Sequence, residues 1–477
     1  MGRNILLIEP GYKTKFPPLG LMKISTYHKK LGDKVKFVKG KNDAASYEYW
    51  DRIYVSTVFT YNWNVSVDTI KYYKALARGD TSRIYVGGIL ATLMAEALWN
   101  ETGVIPKKGV LNYKGALNDN NDLIVDNMIP DYELFDNSPY DYSLVKDSYF
   151  GYSTRGCVNS CDFCGVPMLE PDFVEYTGIK PYIDGIRKRY GEKCNLVLFD
   201  NNILYSKKFE QIIKDLLDLG FEKGSKIGYK NKANQMTYKS RCVDFNQGID
   251  ARLMKEWKVK LIAEIALKPM RIAFDHIKFA ELYSKKIALA AKYGIVNLSN
   301  YILYNWDDTP EHLWERLKIN IDLNKKYGLK IYSFPMKYIP LKDKNRSYIN
   351  SPNWNWQYIR GVQRILNVLK GTVMTSEDFF YRAFGETPKE FLTILNMPEK
   401  ILMNRTKVPL KDEIEWRSKF NNLTSNEKEE LLNILCENRK KIELRKAIHR
   451  TKNQKLKLVL DYYLEPKPED QNLKLFE

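Results

Sequence analysis

The chain is predicted to be an α/β protein. An N-terminal parallel sheet is expected over residues 1–126, a linker over 127–147, a partial (β/α)6 barrel over 148–342 and a mainly helical region over 343–477. Three observations predict this. Strand-like apolar runs alternate with amphipathic stretches in the first part, alternate again with longer helical stretches in the third, and give way to helical periodicity beyond Asp343. With 477 residues the chain has the length for two or three domains with substantial cores.

In the first part the strand signals are Ile5–Glu9, Val35–Val38, Ile53–Val58, Ile84–Val86 and Leu123–Val125, with helices near Leu21–Lys30 and Val67–Ala77. Gly87 and Gly88 fit a tight turn from a strand end into a helix, where backbone approaches a ligand closely. The linker, Met128 to Leu144, carries two prolines and several acids. Six strand signals follow: Ser148–Ser153, Leu196–Phe199, Val243–Phe245, Arg271–Phe274, Leu298–Tyr304 and Lys330–Phe334. Helical stretches near Ile179–Tyr190, Lys207–Leu219, Met254–Leu267, Ile277–Tyr293 and Pro310–Tyr327 separate them. Periodicity by itself fits a partial barrel and an open sheet alike. The last region has an amphipathic helix near Ile359–Leu369 and helices from about Asn426 to Leu464. Its aromatic run Phe379–Gly385 reads equally as a cap over the barrel or as a hydrophobic plug.

The composition, 44% hydrophobic and 28% charged, is that of an ordinary globular protein. No apolar run has the length of a membrane span, and Ile5-Leu-Leu-Ile8 reads as a first strand rather than a signal peptide. The net charge of +18 points to a polyanionic partner, because Lys and Arg release counterions when they meet phosphates. An excess of Lys, Asn, Tyr and Ile explains part of that charge as compositional drift on solvated faces. Two segments concentrate it. From Lys223 to Arg241, Lys223, Lys226, Lys230, Lys232, Lys239 and Arg241 interleave with Tyr229 and Tyr238, a pattern that grips phosphates and stacks bases, or simply a solvated loop. From Arg439 to Lys457, nine Lys or Arg face the single Glu443, which reads as a wet helix face.

Cys157, Cys161 and Cys164 lie in Thr154-Arg-Gly-Cys-Val-Asn-Ser-Cys-Asp-Phe-Cys-Gly, directly after the strand signal at Ser148–Ser153. Three of six cysteines in one short loop do not build a disulfide framework; soft thiolates favour zinc, copper(I) or iron–sulfur clusters. Structural zinc takes four ligands, commonly in two knuckles, whereas the four histidines His28, His276, His312 and His449 are scattered. The pattern Cys-x-x-x-Cys-x-aromatic-Cys, with Phe163 as the aromatic, resembles the cluster loop of radical S-adenosylmethionine (SAM) enzymes. That resemblance implies a 4Fe-4S cluster on the three cysteines and SAM on its open iron. It further implies reductive cleavage to a 5′-deoxyadenosyl radical, hydrogen abstraction from a substrate, and an electron donor such as flavodoxin or ferredoxin. It also makes the barrel the expected architecture. A reducing cytoplasm suits unpaired thiols and such a cluster, so a cytoplasmic location is expected.

The stretch Pro17-Pro18-Leu19-Gly20-Leu21, with Val86-Gly87-Gly88-Ile89-Leu90-Ala91-Thr92, resembles the Rossmann-like cobalamin-binding-like domain often found ahead of a radical SAM core. Cobalamin itself is not favoured. Pro10-Gly-Tyr-Lys-Thr-Lys-Phe16 lacks the usual histidine, and His28, mid-helix beside Lys29, is expected to be exposed rather than coordinating.

In a barrel, chemistry gathers at the C-terminal strand ends. The resemblance places SAM contacts at Phe163, at Asp200 and Asn201 for the amino group, at Asn246, at Arg252 for the carboxylate, at Asp275 where many relatives have glutamate, and at Tyr304 near adenine. Asx residues at strand ends also close turns without touching any ligand. Asp307 to Thr309 before Pro310 is also a good helix start. The reading adopted is a radical SAM enzyme acting on nucleic acid or peptide. A cobalamin-dependent radical SAM methyltransferase, and a nucleic-acid-binding module with a structural metal loop, are the alternatives.

Overall fold

The structure, a computed structural model, describes residues 2–136, 138–140, 142–230, 233–344, 347–405 and 409–464. Lys232 of the basic insertion and the Pro466-Lys467-Pro468 tail lie outside them. The chain divides into two compact units, residues 1–270 with 339–346, and residues 271–338 with 347–477. The boundary at Met270 falls inside the stretch 148–342.

The first unit opens with β1 (Asn4–Glu9), β2 (Lys34–Lys39), β3 (Arg52–Thr57) and β4 (Ile84–Gly88), paired as one parallel sheet in the order β2-β1-β3-β4. β1 is buried from Ile5 to Glu9, as a central parallel strand covered on both faces must be. Gly88 ends β4 at φ +100°, and a Cβ there would meet Thr57 O at 2.0 Å, so the strand-to-helix turn requires glycine.

The helix Leu19–Lys30 is buried without a break from Leu21 to His28. The sheet covers one side, and residues 119–131 cover the other: Tyr27 donates to Asp119 (3.0 Å), Ser25 to Asp131 (2.6 Å) and Thr26 to Ile129 O (2.7 Å). This cover corrects two expectations. Leu123–Val125 is not a strand; Val125–Asn127 is a 3₁₀ turn within the covering segment. His28 is not exposed but 0% accessible, with Nδ1 2.7 Å from Asp33 and Nε2 2.9 Å from the Tyr54 hydroxyl.

Burial, opposed by Asp33, lowers the His28 pKa from 6.5 to about 4. The folded chain therefore refuses a proton that the unfolded chain accepts. The contribution to stability is fully present above pH 6.5 and is lost as pH falls toward 4, at up to about 1.4 kcal/mol per pH unit. Urea titrations across that range should show wild type losing stability relative to His28→Gln. Parallel pH profiles would contradict this assignment.

The same unit continues with β5 (Ser148–Gly151), β6 (Asn195–Leu198), β7 (Lys226–Lys230), β8 (Met236–Ser240) and β9 (Cys242–Phe245). β5, β6 and β9 form a parallel sheet in that order, with helices Ile179–Tyr190 and Phe209–Asp218 in the crossovers. Val243 also bridges to Leu267 in parallel. The basic insertion expected as a loop is an antiparallel β7–β8 ribbon.

In the second unit β10 (Met270–Arg271), β11 (Asn297–Tyr304) and β12 (Lys330–Lys337) form a sheet in the order β10-β11-β12. The strand expected at Arg271–Phe274 is thus shorter and earlier, although Ile272 N and Phe274 N still bond to Ser299 O and Tyr301 O along β11. The helix Pro310–Tyr327 stands where predicted: the Thr309 hydroxyl accepts from His312 N and Pro310 opens the first turn. C-terminal helices gather around Trp354, Phe380, Phe384 and Trp416. Within them Glu377–Phe384 turns Phe380 and Phe384 into the core, with the Phe380 ring 5.6 Å from Trp314, which is the plug reading of that aromatic run. No helix among the described residues is long and apolar enough to cross a membrane.

Candidate functional site

β5 ends at Gly151, and the chain enters an irregular loop carrying Cys157, Cys161 and Cys164 before the short helix Val166–Leu169. The thiols are half-buried and in no disulfide, at the C-terminal edge of a parallel sheet. Among the described residues no three His, Cys, Asp or Glu side chains are gathered as ligands of a single ion. A four-iron cube binds each thiolate through a different iron, so its three sulfurs stand further apart than the ligands of one ion.

Two carboxylates fix the start of this loop. Asp200, just past β6 and 1% exposed, accepts from the amides and hydroxyls of both Ser153 and Thr154 at 2.5–3.1 Å. Burial pushes its carboxyl up, against the pull of those donors. Glu170 accepts from Gly156 N (2.7 Å), Arg155 Nη2 (2.6 Å) and Asn201 Nδ2 (3.2 Å). Gly156 sits at φ +71°, and a Cβ there would meet Asp172 O at 2.2 Å, so the chain passes only as glycine. Behind Arg155 the chain of charges continues to Asp126 (3.2 Å) and on to Lys23 (3.0 Å). Burial lowers the Lys23 pKa, whereas Tyr152, Asp126 and Glu170 outweigh burial and raise that of Arg155.

One further side-chain contact reaches a thiol itself, and a second group stands near. Asn202 Nδ2 donates to Cys157 Sγ at 3.6 Å, while its Oδ1 is buried with no hydrogen-bond partner. An orphaned buried amide oxygen costs free energy unless a donor meets it. On the other side Asn159 donates to Asp250 (3.1 Å), which holds Arg252 in a two-point pair at 2.7 and 2.8 Å. The Arg252 pKa is raised, chiefly by Asp250 and further by the nearby Cys161 and Cys157. The donor set fits the cofactors implied by the resemblance: three thiols outside any disulfide, a cation beside them and a buried amide oxygen with no donor to meet it.

Of the residues expected to touch SAM, the first unit contains Phe163, half-buried next to Cys164, and Asp200, Asn201, Asn246 and Arg252. Asp200 is spent on the loop, which corrects the expectation that its carboxylate receives the SAM amino group, whereas Asn201 gives only its Nδ2 to Glu170. Asn246 follows β9, its amide bonded to Leu198 O at 2.9 Å. In the second unit Asp275 offers its carbonyl to Arg316 (2.8 Å). Tyr304 is also corrected: its ring is 2% exposed and packs 5.5 Å from Trp354 in the core, so that ring is not free for adenine. Asn202, Glu170 and Asn159 were not singled out by sequence reasoning. The Asp200-Asn-Asn run marked the place for Asn202, but register alone could not choose among its members.

No protein-family model matches the chain, and no curated protein does. Among solved structures, it is similar to the radical S-adenosylmethionine methyltransferase TsrM from Kitasatospora setae, solved with cobalamin and a [4Fe-4S] cluster bound. The TM-score is 0.51 at 13% identity, over 72% of this chain and 77% of that one. TsrM with tryptophan substrate and the SAM analogue aza-SAM also matches, with TM-score 0.49 at 13% identity over 68% and 72% of the chains. Over about three quarters of its length the chain thus shares the fold of the first of these structures.

Proposed function

We propose that the chain is a radical SAM enzyme whose 4Fe-4S cluster is held by Cys157, Cys161 and Cys164. The observation that carries this reading is the three-thiol loop, without disulfides, at a strand's C-terminal end, with Asn202 against Cys157, on this fold. A 4Fe-4S cluster held there, once reduced by an external electron donor, would pass one electron to SAM and break its C5′–S bond into methionine and a 5′-deoxyadenosyl radical able to take hydrogen from substrate. Asn202 Oδ1 accepts from the SAM ammonium and Arg252 meets its carboxylate; Asp200 and Glu170 hold the loop in register. Residues 1–126 are assigned to a cobalamin-binding-like domain and 148–342 to the barrel, with nucleic acid or peptide as substrate class.

Cobalamin-dependent methylation is the second reading. TsrM is a methyltransferase with cobalamin bound, and here Phe16, Phe59, Tyr61 and Ile89, which follow the C-terminal ends of β1, β3 and β4, are 39–43% exposed. Such an apolar edge suits a large, flat ligand. His28 is not available as its ligand.

Anaerobic iron–sulfide reconstitution, then dithionite and SAM, tests both readings by chromatography. 5′-Deoxyadenosine is expected from the first, and S-adenosylhomocysteine alongside or instead of it from the second. Stoichiometric zinc and no cluster would overturn both.

A further inference from the structure

The β7–β8 ribbon leaves the first unit just before β9. Its register, with Gly228 opposite Tyr238 and Lys230 opposite Met236, puts Lys226, Gly228, Lys230, Met236, Tyr238 and Ser240 on one face. Ile227, Tyr229, Thr237 and Lys239 share the other. That second face is the more covered of the two: Lys239 pairs with Asp147 at 2.7 Å and Ile227 and Thr237 are half-buried, although Tyr229 is exposed. The first is turned to solvent, with Met236 59% and Tyr238 67% exposed.

On the outward face, a Cβ at Gly228 would come within 3.3 Å of the Tyr238 ring and 2.8 Å of the Met236 methyl. Glycine therefore lets the ring lie across the ribbon instead of standing off it. Lys226 and Lys230 flank the ring, Lys223 precedes them, and none of the three forms an ion pair among the described residues. No acidic residue occurs from Lys223 to Arg241. The ribbon's base adjoins a second aromatic surface. Arg241 donates to Lys193 O (3.3 Å), and Lys193 with Tyr132 and Tyr190 lines a cavity of about 590 Å³ in which Arg189 stands with Glu133 and Asp136.

We propose that the outward face of the ribbon is a platform for single-stranded nucleic acid, with an unpaired base stacked on Tyr238 and neighbouring phosphates on Lys226 and Lys230. An exposed ring between unpaired lysines grips a single strand through the π-face common to every base. The platform is at the edge of the sheet opposite the cysteine loop, because β8 leads into the start of β9 and that loop follows the end of β5. It binds nucleic acid away from the thiols, and stands whether or not SAM is cleaved.

Fluorescence anisotropy of the full chain with a labelled oligouridine, titrated at several salt concentrations, tests this. Tyr238→Ala should weaken binding about tenfold or more and Tyr238→Phe should not. Lys226→Ala with Lys230→Ala should reduce the slope of log K against log salt by about 1.4. The Tyr238 effect should persist when Lys441 and Arg445, in the other basic run, are replaced by alanine. Unchanged binding by Tyr238→Ala, equal affinity for duplex, or preference for anionic phospholipid vesicles would overturn the proposal.

Discussion

Cys161→Ala should leave a folded protein that assembles no cluster and cleaves no SAM. Cys161 is half-buried in an irregular loop whose anchors are elsewhere: Asp200 grips Ser153 and Thr154, and Glu170 grips Gly156. Its thiol is therefore not what holds the loop. Removing one half-buried thiol should shift unfolding by about 1 kcal/mol, the centre of the range for single substitutions. Two thiolates do not hold a cube that needs three, so iron and sulfide content, the brown absorbance and 5′-deoxyadenosine should fall together to background. Retention of cluster and cleavage would remove the basis of the proposed function.

Arg316→Leu should cost the second unit about 3–5 kcal/mol, the usual penalty for breaking a buried ion pair and leaving one charge unmet. Arg316 is 0% exposed and pairs with Asp308, 2% exposed, at 2.6 Å. It also donates to the carbonyls of Phe274, Asp275 and Leu303, tying together the chain ends beyond β10 and near the end of β11. Burial lowers the Arg316 pKa and raises that of Asp308, the mark of two charges that need each other. Urea denaturation of the single variant measures the cost. Adding Asp308→Leu should recover much of it, because an apolar pair replaces a buried ionic one. A single variant as stable as wild type would show that the pair carries no such load.

What was legible in the sequence was local. Thr309 and Pro310 mark a helix start in any context, and Pro310–Tyr327 and Ile179–Tyr190 are found where periodicity put them. The cysteine spacing resembled that of a family one of whose structures shares this fold. What escaped was tertiary. His28 looked exposed because nothing in its own helix announces that residues 119–131 cover the face the sheet leaves open. Leu123–Val125 reads as a strand by β-branched composition, yet its place is on that cover. Tyr304 ends a strand at the expected edge, but its ring turns inward to Trp354. Asn202 differed from Asp200 and Asn201 only in which partners three-dimensional packing left to it.

The line of charges from Lys23 through Asp126 and Arg155 to Glu170 has a consequence for modularity. Lys23 belongs to the first helix of the N-terminal sheet, and Glu170 holds the backbone that enters the cysteine loop. A fragment beginning at Ser148 would lose Lys23 and Asp126 together and keep Arg155 with Glu170, so the net charge would stay balanced but Arg155 would lose one of its two carboxylate partners beside the cysteine loop. The N-terminal sheet is thus not a detachable accessory, and recombination that exchanged it for another would have to supply an acid at the place of Asp126.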